Sequence, residues 1–209
     1  MHRNRLLVAA LLGLVLHVGA LSLSADDKDG EWIQMSDGKS FDGWKINENE
    51  KSWSIEEGAF VAKGPRSHLF YVGDGKPFKN FHFQAEVKTK ANSNGGIFFH
   101  TKFQEEGWPK LGYEAQVNNT YKPDPQKTGG LYNTVRVLEA PAKDDVYFKY
   151  EIIVEGLHVV VKIDDKTVVD YTQPEGKEQP ALSEGTFALQ AHDPGSTVYY
   201  KNLKVKRLP

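Results

Sequence analysis

Residues 81–87 read FHFQAEV, and apolar and polar residues alternate strictly along this stretch. Phenylalanine, alanine and valine occupy every second position, while histidine, glutamine and glutamate occupy the positions between them. Successive side chains of a β-strand point to opposite faces, so this pattern is typical of an antiparallel strand with one buried and one exposed face. The stretch therefore predicts a sheet that covers a hydrophobic core on one side.

The same alternation continues along much of the chain. Turn signals such as Glu57-Gly58 and Asp164-Asp165 separate the alternating segments, and we expect Asp165 to take a left-handed conformation. No segment beyond residue 25 carries an apolar stripe with the period of a helix. Further strands are predicted at residues 53–60 (a hairpin), 147–154, 157–163, 167–171, 186–191 and 197–205.

The number and length of these strands predict an all-β fold with two packed sheets. An antiparallel sheet of this size must cover its apolar face, so we expect a two-sheet antiparallel β-sandwich of jelly-roll type, with a closed barrel as the competing architecture. The 209 residues include 19 glycines and 10 prolines, which fits a chain with many turns. Residues 26–209 are predicted to form one domain, with a surface loop at residues 121–130, where two prolines oppose strand pairing.

The first 25 residues have the composition of a signal peptide. Basic residues precede an apolar run from Leu6 to Leu16 that is too short to span a bilayer, and small residues up to Ala25 offer cleavage positions. We therefore predict a cleaved signal peptide at residues 1–25, a secreted or periplasmic protein, and no membrane attachment after cleavage. An uncleaved membrane anchor is the alternative interpretation.

Charge and composition exclude several classes of function. The formal net charge is −2 at pH 7, and basic residues are interspersed with acidic ones, which argues against a nucleic-acid partner. The absence of cysteine excludes disulfides, thiolate metal sites and cysteine nucleophiles. Histidine spacing typical of zinc sites and a serine nucleophile motif are both missing, so no cofactor is predicted, although a divalent cation and the oligomeric state stay open.

Three segments carry polar residues of the kinds that recognise sugars. Glu114 and Gln116 alternate with apolar residues in YEAQV, and Gln190 and His192 do so in FALQAH. His100 ends the segment IFFH. If these strands share a sheet, one face collects a carboxylate, two amides and two imidazoles, and such groups bind sugar hydroxyls. The alternative for each residue alone is an ordinary solvated face.

Seven short motifs, in order along the chain, resemble the 3-keto-disaccharide hydrolase domain family, which is similar in fold to concanavalin A-like lectins and glucanases. The motifs are SFDGW (40–44), WSIEEGAFVAK (53–63), NGGIFFH (94–100), YEAQV (113–117), TGGLY (128–132), FALQAH (187–192) and YKNLKV (200–205). The resemblance implies a concanavalin A-like sandwich and a hydrolase that acts on 3-keto-glycosides or 3-keto-disaccharides. His100 and Lys201 depart from the family pattern, since both stand where the family has arginine.

The implied activity suggests a mechanism that uses the ketone of the substrate. A ketone at C3 acidifies the C2 proton, so a base can form an enolate that expels the C1 substituent before water adds back. We expect Glu114 or His192 to remove this proton and the other to protonate the departing oxygen or stabilise the enolate. The predicted substrate-binding residues are His100, Gln116, Tyr132, Gln190 and Lys201, of which His100 or Lys201 assists in this stabilisation.

Two other functions compete with this hydrolase. A non-catalytic carbohydrate-binding, lectin-like module would have the same sugar contacts without turnover. A structural envelope protein would scatter the polar residues over separate faces. An ordinary glucanase is disfavoured because Gln116 stands where a second acid of the strand would be expected.

Overall fold

The computed structural model describes residues 30–209, so the predicted signal peptide and its cleavage site lie outside the described residues. A short 3-10 turn occupies Glu50–Ser52. The strands are β1 (Ile33–Gln34), β2 (Trp44–Ile46), β3 (Trp53–Glu56), β4 (Ala59–Ala62), β5 (Ser67–Tyr71), β6 (Phe81–Thr89), β7 (Gly95–Thr101), β8 (Tyr113–Val117), β9 (Phe148–Glu155), β10 (His158–Ile163), β11 (Lys166–Thr172), β12 (Thr186–Ala191) and β13 (Val198–Arg207).

These strands form two antiparallel sheets, which confirms the predicted all-β sandwich. The larger sheet has the order β11-β10-β9-β6-β13-β4-β3, and β1 also pairs with β13. The smaller sheet has the order β2-β5-β12-β7-β8. No helix in the described part of the chain is long and apolar enough to cross a membrane.

Aromatic side chains from both sheets fill the space between them. Phe81 and Phe83 of β6 contact Phe187 of β12, with ring centroids 4.8 and 5.0 Å apart. Every second residue of β6 is fully buried, as the alternation in its sequence predicts. Burial of one such aromatic side chain contributes about 1.5–3 kcal/mol, so this pattern largely determines which face of the strand turns inward.

Two hairpins confirm the predicted turn chemistry. Glu57 and Gly58 join β3 to β4 with φ angles of 50° and 79°, and Asp164 and Asp165 join β10 to β11 with φ angles of 47° and 65°. Two consecutive left-handed residues match the right-handed twist of the flanking strands. Asp165 therefore takes the left-handed conformation expected from its sequence.

The predicted loop at residues 121–130 contains no strand, but part of it is buried. Thr128 is fully buried, and the backbone N–H of Gly129 donates to the carbonyl of Gln116 in β8 at 2.9 Å. The side-chain amide of Asn118 donates to three carbonyls of this loop, at 2.8–3.3 Å. The loop is thus fixed against the edge of the smaller sheet, where it forms one wall of the cavity that we describe next.

Candidate functional site

A cavity of about 570 Å³ lies over the outer face of the smaller sheet, the face turned away from the larger sheet. The polar residues predicted on β8 and β12 point into it, while their apolar neighbours on the same strands face the core. The cavity is lined by Asn94, Phe98, Trp108, Pro109, Lys110, Gly112, Glu114, Gln116, Asp124, Tyr132, Asn133, Gln179, Pro180, Gln190 and His192.

Glu114 lies on the floor of the cavity, beside a position that has no side chain. A Cβ atom on Gly96 of the neighbouring strand β7 would lie 2.4 Å from Oε1 of Glu114, which is far closer than real atoms approach. Gly96 therefore makes room for the carboxyl group. The amide Nε2 of Gln190 donates to the same Oε1 at 3.0 Å and holds the carboxyl in place.

The surroundings of Glu114 favour its protonated form. Burial raises the pKa of Glu114 to about 8, the hydrogen bond from Gln190 acts in the opposite direction, and the nearby negative charge of Asp124 adds to the increase. Desolvation of a carboxylate that has no cationic partner has this effect. At neutral pH the carboxyl is mainly protonated and can donate a proton.

Two side-chain amides on the floor of the cavity have buried oxygen atoms without a donor in the described residues. Gln116 and Gln190 are 1% and 2% exposed, and no residue within 30–209 donates to either Oε1 atom. Their nitrogens are occupied, since Gln116 donates to Asn94 at 2.9 Å and Gln190 to Glu114. A buried acceptor without a donor costs about 1–3 kcal/mol, so these two amides are not explained by the stability of the fold.

His192 follows β12 directly and is held by the next residue. Its Nδ1 lies 2.7 Å from Oδ2 of Asp193, which also accepts from Oγ of Ser196 at 2.8 Å. Burial alone would raise the pKa of Asp193, but the hydrogen bonds from His192 and Ser196 outweigh it and lower the pKa. The ionised carboxylate can only accept, so Nδ1–H of His192 donates to it and Nε2 is not used in this contact. Nε2 is thus the atom through which the ring can act on a ligand.

Tyr132 lines the same cavity from the wall formed by the loop. Its backbone N–H donates to the carbonyl of Glu114 at 2.9 Å, which ties this wall to β8. Burial raises the pKa of the Tyr132 phenol, with smaller contributions from the charges of Asp124 and Glu114. The phenol is therefore a neutral hydrogen-bond donor at neutral pH.

His100 lies between the two sheets and not in the cavity, which differs from the prediction. It has a φ of 57° at an irregularity in the pairing of β7 with β12, and this turn directs its ring into the core against Phe81. Nδ1 accepts from the backbone N–H of Ser183 at 3.1 Å, and Nε2 donates to the carbonyl of Lys79 at 2.9 Å. Burial lowers the pKa of His100 to about 4, so the ring is neutral and structural.

Lys201 also lies away from the cavity, on the outer face of the larger sheet. Its ammonium group is 3.2 Å from a carboxylate oxygen of Glu86 and 3.9 Å from the ring centre of Tyr147. Glu114, Gln116, Tyr132, Gln190 and His192 are thus brought together in one cavity, whereas His100 and Lys201 are not.

Three residues near the cavity were not predicted. Asp193 could have been found from its position next to His192 in the sequence. His68 lies opposite Gln190 in the pairing of β5 with β12 and is fully buried, with no described partner for either ring nitrogen. Trp108 lies in an irregular loop that has no periodic signal in the sequence.

The described residues contain no group of three or more His, Cys, Asp or Glu side chains arranged to hold a metal ion. The side chains that line the cavity provide a protonated carboxyl, an imidazole held by a carboxylate, and two side-chain amides.

Comparison with known sequences gives two matches. A family model described as the 3-keto-alpha-glucoside-1,2-lyase-like domain matches residues 31–206. A 3-keto-disaccharide hydrolase of Bacteroides thetaiotaomicron is 34% identical over 82 residues, a region that covers 35% of this chain and 28% of that protein. The match thus spans less than a third of the length of this relative.

Comparison with solved structures agrees on the fold. A candidate glycosyl hydrolase of Parabacteroides distasonis superposes with a TM-score of 0.72 at 23% identity, covering 86% of this chain and 94% of the other. The β-glucanase of Bacillus licheniformis has a TM-score of 0.58 at 10% identity, with coverage of 86% and 98%. The fold is therefore the sandwich shared by concanavalin A-like lectins and glucanases.

Proposed function

Because the chain belongs to the family of 3-keto-alpha-glucoside-1,2-lyase-like domains, we propose that it is a hydrolase that cleaves 3-keto-glycosides, including 3-keto-disaccharides. The observation that carries this proposal is the presence of two complementary groups in one cavity. Glu114 is a carboxyl whose pKa is raised to about 8, and His192 is an imidazole oriented by an ionised carboxylate.

The reaction proceeds by elimination followed by hydration. A base removes the proton at C2, which the C3 ketone acidifies. The resulting enolate expels the glycosidic oxygen from C1. The departing oxygen receives a proton from an acid. Water then adds its oxygen to C1, and a proton returns to C2, so the net change is hydrolysis of the glycosidic bond.

The two groups take opposite roles in this sequence. Nε2 of His192 accepts the C2 proton, because Nδ1–H is committed to Asp193. Glu114 protonates the leaving oxygen and, as a carboxylate, then takes a proton from the attacking water. The Nε2 proton of His192 exchanges with solvent, a proton then returns from Nε2 to C2, and both groups recover their starting states.

The remaining polar groups orient the substrate. The side-chain amides of Gln116 and Gln190 and the phenol of Tyr132 form hydrogen bonds with sugar hydroxyls. A fixed orientation lowers the entropic cost of bringing C2 to His192.

The presence of Asp124 raises an ordinary glycosidase with two catalytic carboxyl groups as the competing function. It lines the same cavity as Glu114, and ordinary glycosidases place two carboxyl groups on either side of the bond. Such an enzyme would cleave an unoxidised disaccharide, whereas the elimination requires the ketone. The test of function must therefore include both substrates.

The test is incubation of the purified protein with a 3-keto-glucoside and with the same glucoside without the ketone. We expect release of the aglycone from the keto compound only, and incorporation of deuterium at C2 of the sugar product in heavy water. Cleavage of the unoxidised glucoside, or product without deuterium at C2, would contradict the elimination. Binding of the keto compound without release would instead indicate a lectin-like module.

We also propose that residues 1–25 are a cleaved signal peptide and that the protein is secreted or periplasmic. This proposal rests on the basic start and the apolar run of the N-terminal segment. N-terminal sequencing of the protein exported from its host should find a start near residue 26. An intact N-terminus on membrane-bound protein would indicate an uncleaved anchor.

A further inference from the structure

We propose that the indole of Trp108 is the platform on which a pyranose ring of the substrate stacks. This inference rests on the proposed function, since it assigns the apolar contact of the same cavity. Neither the motifs in the sequence nor the family resemblance marks this residue.

Trp108 is an exposed aromatic side chain at the wall of the cavity. It is 43% exposed, and it is the only aromatic among the exposed large hydrophobic residues of the described chain. Its ring centre lies 5.5 Å from that of His192, the proposed base. A large apolar ring left open beside a polar cavity is typical of a binding surface.

Charged and aromatic side chains contact the ring. The guanidinium of Arg66 lies over the indole, 5.3 Å from its centre, and the ring of His68 contacts it edge-on at 5.5 Å. These contacts leave 43% of Trp108 exposed, and the residue lines the cavity.

Arg66 is itself fixed by a forked ion pair. Its Nε and Nη2 donate to the two carboxylate oxygens of Glu48 at 2.8 and 3.1 Å. The same carboxylate accepts from the backbone N–H of Gly107 at 3.0 Å, so one acidic group ties both Arg66 and the loop that carries Trp108. A bidentate arginine contact restricts motion of the guanidinium.

A second side chain holds the backbone of the loop. Nε2 of Gln104 donates to the carbonyls of Glu106 and Trp108 at 2.6 and 2.9 Å, and its Oε1 accepts from the backbone N–H of Lys110 at 3.2 Å. The indole is therefore mounted rigidly before any ligand binds, which reduces the entropy lost on binding.

The indole and the floor of the cavity have complementary chemistry for a sugar ring. Gln116 and Gln190 place side-chain amides on the floor of the cavity, and amides form hydrogen bonds with hydroxyl groups at the edge of a sugar ring. The C–H groups of a pyranose form an apolar face that these amides cannot satisfy, and an aromatic surface can cover it. Trp108 supplies this surface in the same cavity.

The test compares Trp108→Ala and Trp108→Phe in turnover of a 3-keto-glucoside. We expect KM to rise about tenfold for the alanine variant and less for phenylalanine, because about 1.4 kcal/mol of lost contact corresponds to a factor of ten. The value of kcat should change by less than about threefold, since stacking of this kind contributes equally to ground and transition states. A fall in kcat with unchanged KM would overturn the proposal, because Trp108 would then act on His192 and not on the sugar.

Trp32→Phe is the matched control. Trp32 lies on the outer face of the larger sheet, away from the cavity. Its ring centre is 5.1 Å from that of His82 and 4.5 Å from Nζ of Lys204. Its replacement should therefore leave KM unchanged.

Calorimetric binding of the 3-keto-glucoside to Glu114→Gln, with and without Trp108→Ala, separates this inference from the proposed function. If the parent protein shows no turnover, and the double variant binds the keto compound more weakly than Glu114→Gln does, the hydrolase is refuted and the platform is supported. Turnover by the parent protein with unchanged binding to the double variant would refute the platform alone.

Discussion

Each sheet of the sandwich carries a glutamate set into its outer face beside a glutamine, but the two glutamates have opposite surroundings. Glu151 of the larger sheet accepts from His82 at 2.9 Å and from Gln84 at 2.7 Å, and Lys149 lies 3.3 Å away. Within residues 30–209, Gln190 is the one side chain that donates to Glu114 of the smaller sheet. The same residue types therefore form a structural cluster with several hydrogen bonds to the glutamate on one face, and a cavity in which the glutamate has few hydrogen bonds on the other.

The difference is expressed in the protonation of the two carboxyl groups. Burial tends to raise the pKa of Glu151, but the hydrogen bonds from Gln84, His82 and Lys149 outweigh it and lower the pKa. Burial raises the pKa of Glu114 to about 8, and one amide does not reverse it. The number and charge of the donors thus decide which glutamate is held as an anion and which is available as an acid.

The strongest way to test this comparison is to replace each glutamate by glutamine. Glu114→Gln removes the proposed acid, so we expect kcat on a 3-keto-glucoside to fall about 10²–10⁴-fold, the usual contribution of one general acid. Glu151→Gln should leave kcat within about threefold. Equal effects of the two changes on kcat would show that Glu114 has no special role in turnover.

A second comparison uses two histidine–aspartate pairs. His192 and Asp193 line or adjoin the cavity, whereas His158 and Asp170 form an exposed pair, also at 2.7 Å, on the larger sheet. Asp193→Asn removes the charge that orients His192, and we expect kcat to fall about 10–100-fold, in the range seen when a supporting group of a functional histidine is lost. Asp170→Asn should change neither kcat nor KM.

The separate effects of Asp193→Asn on kcat and on KM test the orienting role of Asp193. Loss of the contact with Nδ1 of His192 should lower kcat and leave KM nearly unchanged, because Asp193 does not itself line the cavity. A kcat equal to that of Asp170→Asn would show that Asp193 does not orient His192 for turnover.

The sequence predicts the fold more completely than it predicts the cavity. Alternation assigns each residue of β6 to the core or to solvent, because burial of apolar side chains depends on the period of two. The left-handed turn at Asp164 and Asp165 follows from local backbone preferences. Both signals are local and can be read without knowledge of the tertiary structure.

The two misplaced residues show where such signals end. His100 leaves the predicted face because its left-handed backbone, φ 57°, interrupts the alternation at a pairing irregularity. Lys201 points outward from the larger sheet, whereas the cavity lies on the smaller sheet. Alternation carries no information about which sheet a strand joins. The grouping of Glu114 with Gln190 was predictable only as a hypothesis, since β7 lies between their strands.

The smallest expected effect concerns the stability of the two glutamine variants. Glu151 has a lowered pKa, so its contribution to folding is present above the pKa of the unfolded chain and is lost as the pH falls through the folded value. We therefore expect Glu151→Gln to lower the free energy of unfolding by about 1–3 kcal/mol at pH 7, and by less in acid.

The contribution of Glu114 to stability depends on pH in the opposite direction. Its raised pKa means that the carboxylate form opposes folding. The contribution of Glu114 to the free energy of unfolding of the parent protein therefore decreases as the pH rises from about 4.5 to about 8. Glu114→Gln removes the titrating group and should be no less stable than the parent at pH 8. Urea unfolding at pH 4.5, 7 and 8 measures both variants against the parent. A destabilisation of Glu114→Gln that grows with pH would mean that Glu114 is held as an anion like Glu151, and the contrast between the two faces would fail.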